Sequence, residues 1–286
     1  MARVAVVGVG SIGAVLAAGL TLAGGHELTL CTRRKLDGLR VETPGGEVNV
    51  AGKNVTAIAD AEPVDWVVIA TKTYDAEGTA AWFAKLCGPA TRVAVVQNGV
   101  EHRERFAPYV AAQRIVPVVI DTPAERRPDG SVLQRTPIVM RVADDAEGHA
   151  FSKLFPAGDV QLVDDFVTAA WNKLCINATG AVSALTLKPV GVLHDEACGK
   201  VAVDLVNECV AVGRAVGAKL ADGLAEEILK GDRARPVESV NSMLADRMAG
   251  RQTEIDARNG VIVQMGEKHG IATPVNRMAV ALMKAM

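Results

Sequence analysis

Aromatic residues are scarce in this chain: only 3% of its 286 residues are Phe, Trp or Tyr. A core must therefore be filled by Val, Ala and Leu, and an apolar content of 49% supplies enough for one large or two ordinary domains. Neither sign of charge is in excess, with 31 basic and 33 acidic residues and a net charge of −2. Because the two signs are interspersed, the sequence offers no basic surface for nucleic acid and no polybasic patch for a membrane. Cys31, Cys87, Cys175, Cys198 and Cys209 are odd in number, lack C-x-x-C spacing and lie in apolar stretches. They read as buried free thiols in a reducing, cytoplasmic compartment. His26, His102, His149, His194 and His269 are scattered, with no H-E-x-x-H pair and no cysteine partners, which predicts no metal site. A G-x-S-x-G nucleophile elbow, internal repeats and low-complexity linkers are missing as well.

What is present begins at the N-terminus. Residues 3–7 read Arg-Val-Ala-Val-Val, a buried parallel strand, and run into Gly8-Val9-Gly10-Ser11-Ile12-Gly13, after which residues 14–23 continue as good helix formers. This is the G-x-G-x-x-G spacing between the strand and helix it needs, and it predicts a dinucleotide site. Gly8 allows the tight turn, Gly10 a close approach to pyrophosphate, and Gly13 close packing of helix on strand. The free N–H groups from Ser11 and Ile12 onward hold phosphate at the helix start. The uncharged run 4–25 is long enough to imitate a membrane span, but its glycine spacing makes it strand, turn and helix. Residues 26–31 form the next strand, and its end lacks the acidic residue that would hold a ribose 2′-hydroxyl. The chain instead reads Thr32-Arg33-Arg34-Lys35. A guanidinium at Arg33 suits a 2′-phosphate, so the cofactor expected is NADP.

Further along, residues 40–50 suggest a hairpin around Pro44-Gly45-Gly46; 64–70, 92–97, 115–120, 138–142 and 160–163 suggest strands, and 74–86 a helix. That alternation implies a Rossmann-like α/β domain over residues 1–166. Beyond it, 171–187, 196–216, 224–229, 240–248, 254–269 and 275–286 all read as helices, giving an all-helical domain over 167–286.

Lys72 and Asn98 lie just past the ends of predicted strands, where open parallel sheets place ligands. In the helical part, Lys173 and Asn177 share one helix face, as do Ser242 and Asp246, while Glu254 falls in the first turn of a helix capped by Thr253. On spacing alone, each could equally be a solvated or capping residue.

Taken together, Gly8 to Gly13, Arg33, Thr71-Lys72, Gln97-Asn98-Gly99, Trp171 to Asn177, Ser242-Met243-Leu244 with Asp246, and Thr253-Glu254-Ile255-Asp256 with Asn259-Gly260 resemble the ketopantoate reductase family over essentially the whole chain. The resemblance implies hydride transfer from NADPH to the C2 ketone of a 2-oxo acid. Lys173 would be the catalytic lysine and Glu254 the carboxylate that orients it. Ser242 would hold the substrate carboxylate and Asn177 a substrate oxygen; Asn98 would serve substrate and nicotinamide, and Arg33 and Lys72 the 2′-phosphate end. One departure stands out: Ala181 occupies a position where many members carry a second substrate-binding asparagine. The expected function is ketopantoate reduction for pantothenate synthesis, with a small 2-oxo acid as partner, no nucleic acid or membrane, and a homodimer left open. The alternatives are another NAD(P)-dependent 2-hydroxy acid dehydrogenase and a non-catalytic NADP-binding sensor.

Overall fold

A run of small apolar residues becomes an interior strand when both of its faces can be covered. In the computed structural model, which describes residues 1–286, β1 (Ala2–Val7) meets that condition. Val4 and Val6 enter one apolar cluster and Ala5 and Val7 another, the period-two alternation of a strand between two covered faces. Helix α1 (Ser11–Ala23) follows, then β2 (His26–Cys31), the antiparallel pair β3 (Arg40–Thr43) and β4 (Gly46–Asn49), β5 (Lys53–Val55) and β6 (Val64–Ile69). Short helices α2 (Ala76–Ala80) and α3 (Phe83–Leu86) lead to β7 (Cys87–Val95), and α4 (His102–Phe106) to β8 (Ile115–Pro117). Six of these strands form one parallel sheet in the order β5-β2-β1-β6-β7-β8. The order reverses between β1 and β6, and the carboxyl ends of strands at such a reversal are where open parallel sheets bind ligands.

The chain then forms β9 (Val119–Ile120), β10 (Ala124–Arg126), β11 (Val132–Gln134), β12 (Met140–Ala143), α5 (Ala146–Ser152) and β13 (Val160–Val163). These build a four-stranded sheet, β10-β11-β3-β4, and a three-stranded one, β13-β12-β9. The few aromatics are concentrated: Phe151 lies 5.7 Å from Trp66 and 5.3 Å from Phe155, ring centre to ring centre. By its internal contacts the chain divides into a first unit, Met1–Gln97 with Glu101–Phe166, and a second, Asn98–Val100 with Val167–Met286.

Beyond β13 the chain contains helices and no strand: α6 (Phe166–Ala178), α7 (Gly180–Thr186), α8 (Glu196–Ala215), α9 (Leu224–Arg233), α10 (Ser242–Met248), α11 (Val261–His269) and α12 (Pro274–Ala285). No helix is long and apolar enough to cross a membrane, and the uncharged run 4–25 is strand, turn and α1.

Several boundaries differ from those expected. The helix anticipated over 74–86 is a 3₁₀ turn followed by α2 and α3, with Gly78, a poor helix former, in the middle of α2. The helix expected over 171–187 starts earlier and breaks at Thr179, whose hydroxyl contacts the Ile176 carbonyl at 3.0 Å and Asp232 at 2.9 Å. Over 254–269 a π-turn, Asp256–Gly260, precedes α11. All five cysteines are free, but only Cys31, Cys175 and Cys209 are buried. Cys87, the first residue of β7, and Cys198, in the first turn of α8, are half-buried. Burial pushes the Cys31 thiol up to about 12.

Close backbone approach sets the geometry of the glycine loop. Gly8 has φ +89°, and a Cβ on it would lie 2.5 Å from Thr71 Cγ2; a Cβ on Gly13 would lie 2.0 Å from the Gly8 carbonyl oxygen. Arg126, on β10, braces the loop from outside, donating to the Val9 carbonyl at 2.8 Å, the Gly10 carbonyl at 3.4 Å and the Gly130 carbonyl at 2.7 Å. Gly13→Ala should destabilise the protein by about 1–3 kcal/mol, because the obstruction is backbone and cannot move aside. A thermal or urea unfolding curve matching the unaltered protein would contradict this. Arg126→Met should leave unfolding nearly unchanged but weaken dinucleotide binding about five- to tenfold, the value of roughly 1 kcal/mol of lost bracing. Fluorescence titration with NADPH measures that change, and an unaltered dissociation constant counts against the brace.

Candidate active site

The first unit offers a site for a dinucleotide. Gly10 caps α1 without any side-chain hydrogen bond, so the leading N–H groups of Ser11, Ile12 and Gly13 are not claimed by a capping side chain. A Cβ on Gly10 would meet nothing within 4 Å, which leaves open space beside the backbone at the helix start. A pyrophosphate fits the positive end of this 13-residue helix. Gly8 and Gly13 have no such space; their lack of a side chain serves the turn itself.

Past β6, the adjacent loop is held by Gln97, whose amide nitrogen donates to the Thr71 carbonyl at 2.9 Å and Thr71 Oγ1 at 3.0 Å. The Gln97 side-chain oxygen accepts from Arg105 at 3.0 Å, and its backbone carbonyl meets His102 Nε2 at 3.0 Å. Gln97 is thus a structural tie that sets the position of Lys72, which is half-buried where the loop enters its 3₁₀ turn. The Arg33 side chain is 91% exposed and pairs with Asp75 at 3.8 Å. So exposed a pair holds the guanidinium weakly.

The second unit gathers most of the residues expected to carry chemistry. Lys173 and Asn177, one turn apart on α6, are both half-buried. Asn177 Nδ2 donates to Asn98 Oδ1 at 3.3 Å, and Asn98 Nδ2 donates to Glu254 Oε2 at 2.9 Å. The Asn98 amide is therefore fixed at both ends. Glu254 is only 5% exposed, unlike a first-turn carboxylate in solvent. Ser242 opens α10 in an exposed position, behind its Asn241 cap, and its hydroxyl accepts from Arg258 Nη2 at 2.8 Å. Asp246 is buried and paired with Arg251 at 3.0 Å.

Arg258 and Arg126 were not among the residues expected from the sequence. Arg258 lies within the π-turn and is 4% exposed. Burial lowers its pKa, while the charges of Glu254 and Asp246 act to raise it. Its spacing of four from Glu254 was the available signal, since an i, i+4 pair of opposite charge marks neighbours on a helical surface. For Arg126 the sequence held no signal, because its loop partners are more than a hundred residues away.

Two other positions have packing roles. Asn259, fully buried, donates to the Ala178 carbonyl at 3.2 Å and to Asn276 at 2.9 Å, and so ties the end of α6 to α12. Ala181 lies on α7 past the break at Thr179, fully buried in a cluster with Val182, Met243 and Ile255. A surface cavity of about 560 Å³ in this unit is lined by Lys188, Asp195 and Cys198 among others and includes none of the polar cluster above.

The family model described as ketopantoate reductase PanE/ApbA matches residues 4–145, and the one described as its C terminal matches residues 165–286. A 2-dehydropantoate 2-reductase of Caulobacter vibrioides is 49% identical, the alignment covering 100% of this chain and 99% of that one. Its counterpart in Mycobacterium tuberculosis is 35% identical, with 99% and 97% covered. Among solved structures, a 2-dehydropantoate 2-reductase from Geobacter metallireducens GS-15 matches with a TM-score of 0.92 at 26% identity, covering 99% of each chain. With both halves matched in order, the chain belongs to the ketopantoate reductase PanE/ApbA family.

Proposed function

We propose that this chain is an NADPH-dependent 2-dehydropantoate 2-reductase, reducing the C2 ketone of 2-dehydropantoate to the alcohol of pantoate on the route to pantothenate and coenzyme A. The observation that carries the reading is the hydrogen-bonded series Asn177–Asn98–Glu254, drawn from three separate segments and sharing α6 with Lys173. A binding module would not need a buried carboxylate held by a fixed amide beside a lysine-bearing helix.

In this reading Gly10, Ser11 and Ile12 hold the pyrophosphate, and Gly8 and Gly13 shape the turn that presents them. Arg33 and Lys72 take the 2′-phosphate. A nicotinamide cofactor held by these residues would supply the hydride for C2. Lys173 donates a proton to the ketone oxygen as negative charge develops on it, and its ammonium stabilises that charge before the transfer. Glu254, kept out of water, orients the ammonium, and Asn98 keeps Glu254 in place. Asn177 donates to a substrate oxygen, and Ser242 holds the carboxylate.

An NADPH-oxidation assay over a panel of 2-oxo acids tests the whole reading. Fastest turnover is expected with 2-dehydropantoate. Efficient reduction of another acid in its place would make the chain a different 2-hydroxy acid dehydrogenase, and no oxidation with any acid would leave a dinucleotide sensor.

Two substitutions separate the parts. Arg33→Ala should narrow the preference for NADPH over NADH, at a cost of about 1–3 kcal/mol in charge-assisted binding. Equal affinity of the unaltered protein for both cofactors would remove the argument for NADP. Lys173→Ala should lower kcat by about 10²-fold or more while leaving the NADPH dissociation constant nearly unchanged, since the lysine acts on charge found only in the transition state. Near-normal turnover in that variant would make Lys173 a solvated helix residue.

A further inference from the structure

Taking a guanidinium out of water costs several kcal/mol unless nearby groups compensate, so the surroundings of Arg258 should reveal what the burial is for. Its carboxylate neighbours already have other partners: Glu254 accepts from Asn98, and Asp246 is paired with Arg251. The charges of both acids still favour the guanidinium, and its side chain in addition reaches a hydroxyl. One end nitrogen, Nη2, donates to Ser242 Oγ at 2.8 Å, and a Cβ on Gly180 would lie 3.6 Å from Nη1. Its Nε has no hydrogen-bond partner.

A guanidinium can only donate. Ser242 Oγ must then use its lone pairs on Arg258, which leaves the hydroxyl hydrogen to point elsewhere. Arg258 is buried and Ser242 is an exposed residue, so the arrangement puts a permanent cation behind a hydroxyl carried at the surface. A hydroxyl that accepts from a cation is also a stronger donor, because hydrogen bonds in a chain polarise one another.

We propose that Arg258 is a positioning residue for the substrate's carboxylate: it holds the Ser242 hydroxyl as an outward-facing donor and adds positive charge behind it, so that the protein selects a 2-oxo acid over its neutral analogues. This rests on the chain being a 2-oxo acid reductase. The selectivity comes from a side chain that does not itself touch the substrate. It has one sharp consequence, because the guanidinium favours a negatively charged group and has much less hold on the same molecule with its carboxylate esterified.

The test compares kcat/KM for the best 2-oxo acid of the panel with that for its methyl ester, at saturating NADPH. Arg258→Met should reduce the acid-to-ester preference by about tenfold or more, mainly through a higher KM for the acid, while the ester loses no more than about twofold. Arg258→Lys, which keeps the charge and a donor, should stay within about threefold of the starting ratio. In a Ser242→Ala background, Arg258→Met should change the ratio by less than about threefold, because the group through which Arg258 acts is gone. Where the methionine variant does not fold, Arg258→Gln takes its place in both backgrounds with the same expectation, and Arg258→Lys alone still distinguishes the outcomes by acid and ester rates. Acid and ester falling by the same factor, an unchanged ratio, or an effect undiminished without the serine hydroxyl would each overturn the proposal. An unaltered protein that reduces no 2-oxo acid refutes the function itself, whereas a working reductase whose ratio ignores position 258 refutes only the role of Arg258.

Discussion

The second unit is organised by the cost of keeping charge away from water. Glu254, Asp246 and Arg258 are each nearly inaccessible, and an uncompensated ion in such a place costs several kcal/mol even after relaxation. Asn98 donates to Glu254, Arg251 pairs with Asp246, Ser242 accepts from Arg258, and the charges of the two acids also favour the guanidinium. Asn98–Val100 is flanked in sequence by residues of the first unit, yet it groups with the helices. Two contacts account for that: the Asn98 amide meets the Glu254 carboxylate, and Val100 packs in the cluster that holds Trp171 and Leu174. The polar requirement fixes the amide, and the apolar contact fixes the backbone that carries it.

The two units make binding surfaces in opposite ways. In the first, the site exists because side chains are missing: Gly8 and Gly13 allow contacts that a Cβ would forbid, and Gly10 leaves open space at the helix start. Backbone N–H groups are left to donate at the helix start, an arrangement that suits a pyrophosphate, whose recognition needs donors and little else. In the second unit the site depends on long polar side chains held in fixed orientations, which suits a reaction where a proton must reach one particular atom. Supporting groups follow the same division. Arg126 and Gln97 restrain backbone around the glycine loop, whereas Asn259, held by Asn276, restrains the end of the helix that bears both Lys173 and Asn177.

Legibility in the sequence follows from how local each cause is. The glycine loop, β2 and β13 could be read directly, because strand periodicity and turn chemistry are properties of neighbouring residues. The family resemblance brought Lys173, Asn177, Ser242 and Glu254 forward, though spacing alone left each of them open to a plainer explanation. The helix break at Thr179 was missed because its hydroxyl bridges the Ile176 carbonyl and Asp232, a partner more than fifty residues away. The π-turn was missed for a related reason, since one extra residue in a turn leaves the apolar pattern on either side intact. Burial was the least legible property. Apart from its spacing of four from Glu254, nothing in the local sequence distinguishes the inaccessible Arg258 from the exposed Arg251, because burial is set by the packing of other segments.

Position 181 shows how such distant effects bear on specificity. Read as a helix continuing from α6, Ala181 would repeat the face of Asn177, and its small side chain would look like a lost contact. The break at Thr179 starts a new helix, and Ala181 is fully buried among Val182, Met243 and Ile255. An amide placed in that cluster would have to find hydrogen-bond partners among hydrocarbon, at a cost of about 1–3 kcal/mol if it failed. The alanine is therefore consistent with its packing, and the polar groups of the proposed site are those of Asn98, Asn177 and Ser242. Of these, Ser242 is backed by a full positive charge, while the two amides contribute only neutral donors and acceptors. In the low-dielectric surroundings of a buried cation, that difference in kind weighs more than one amide gained or lost.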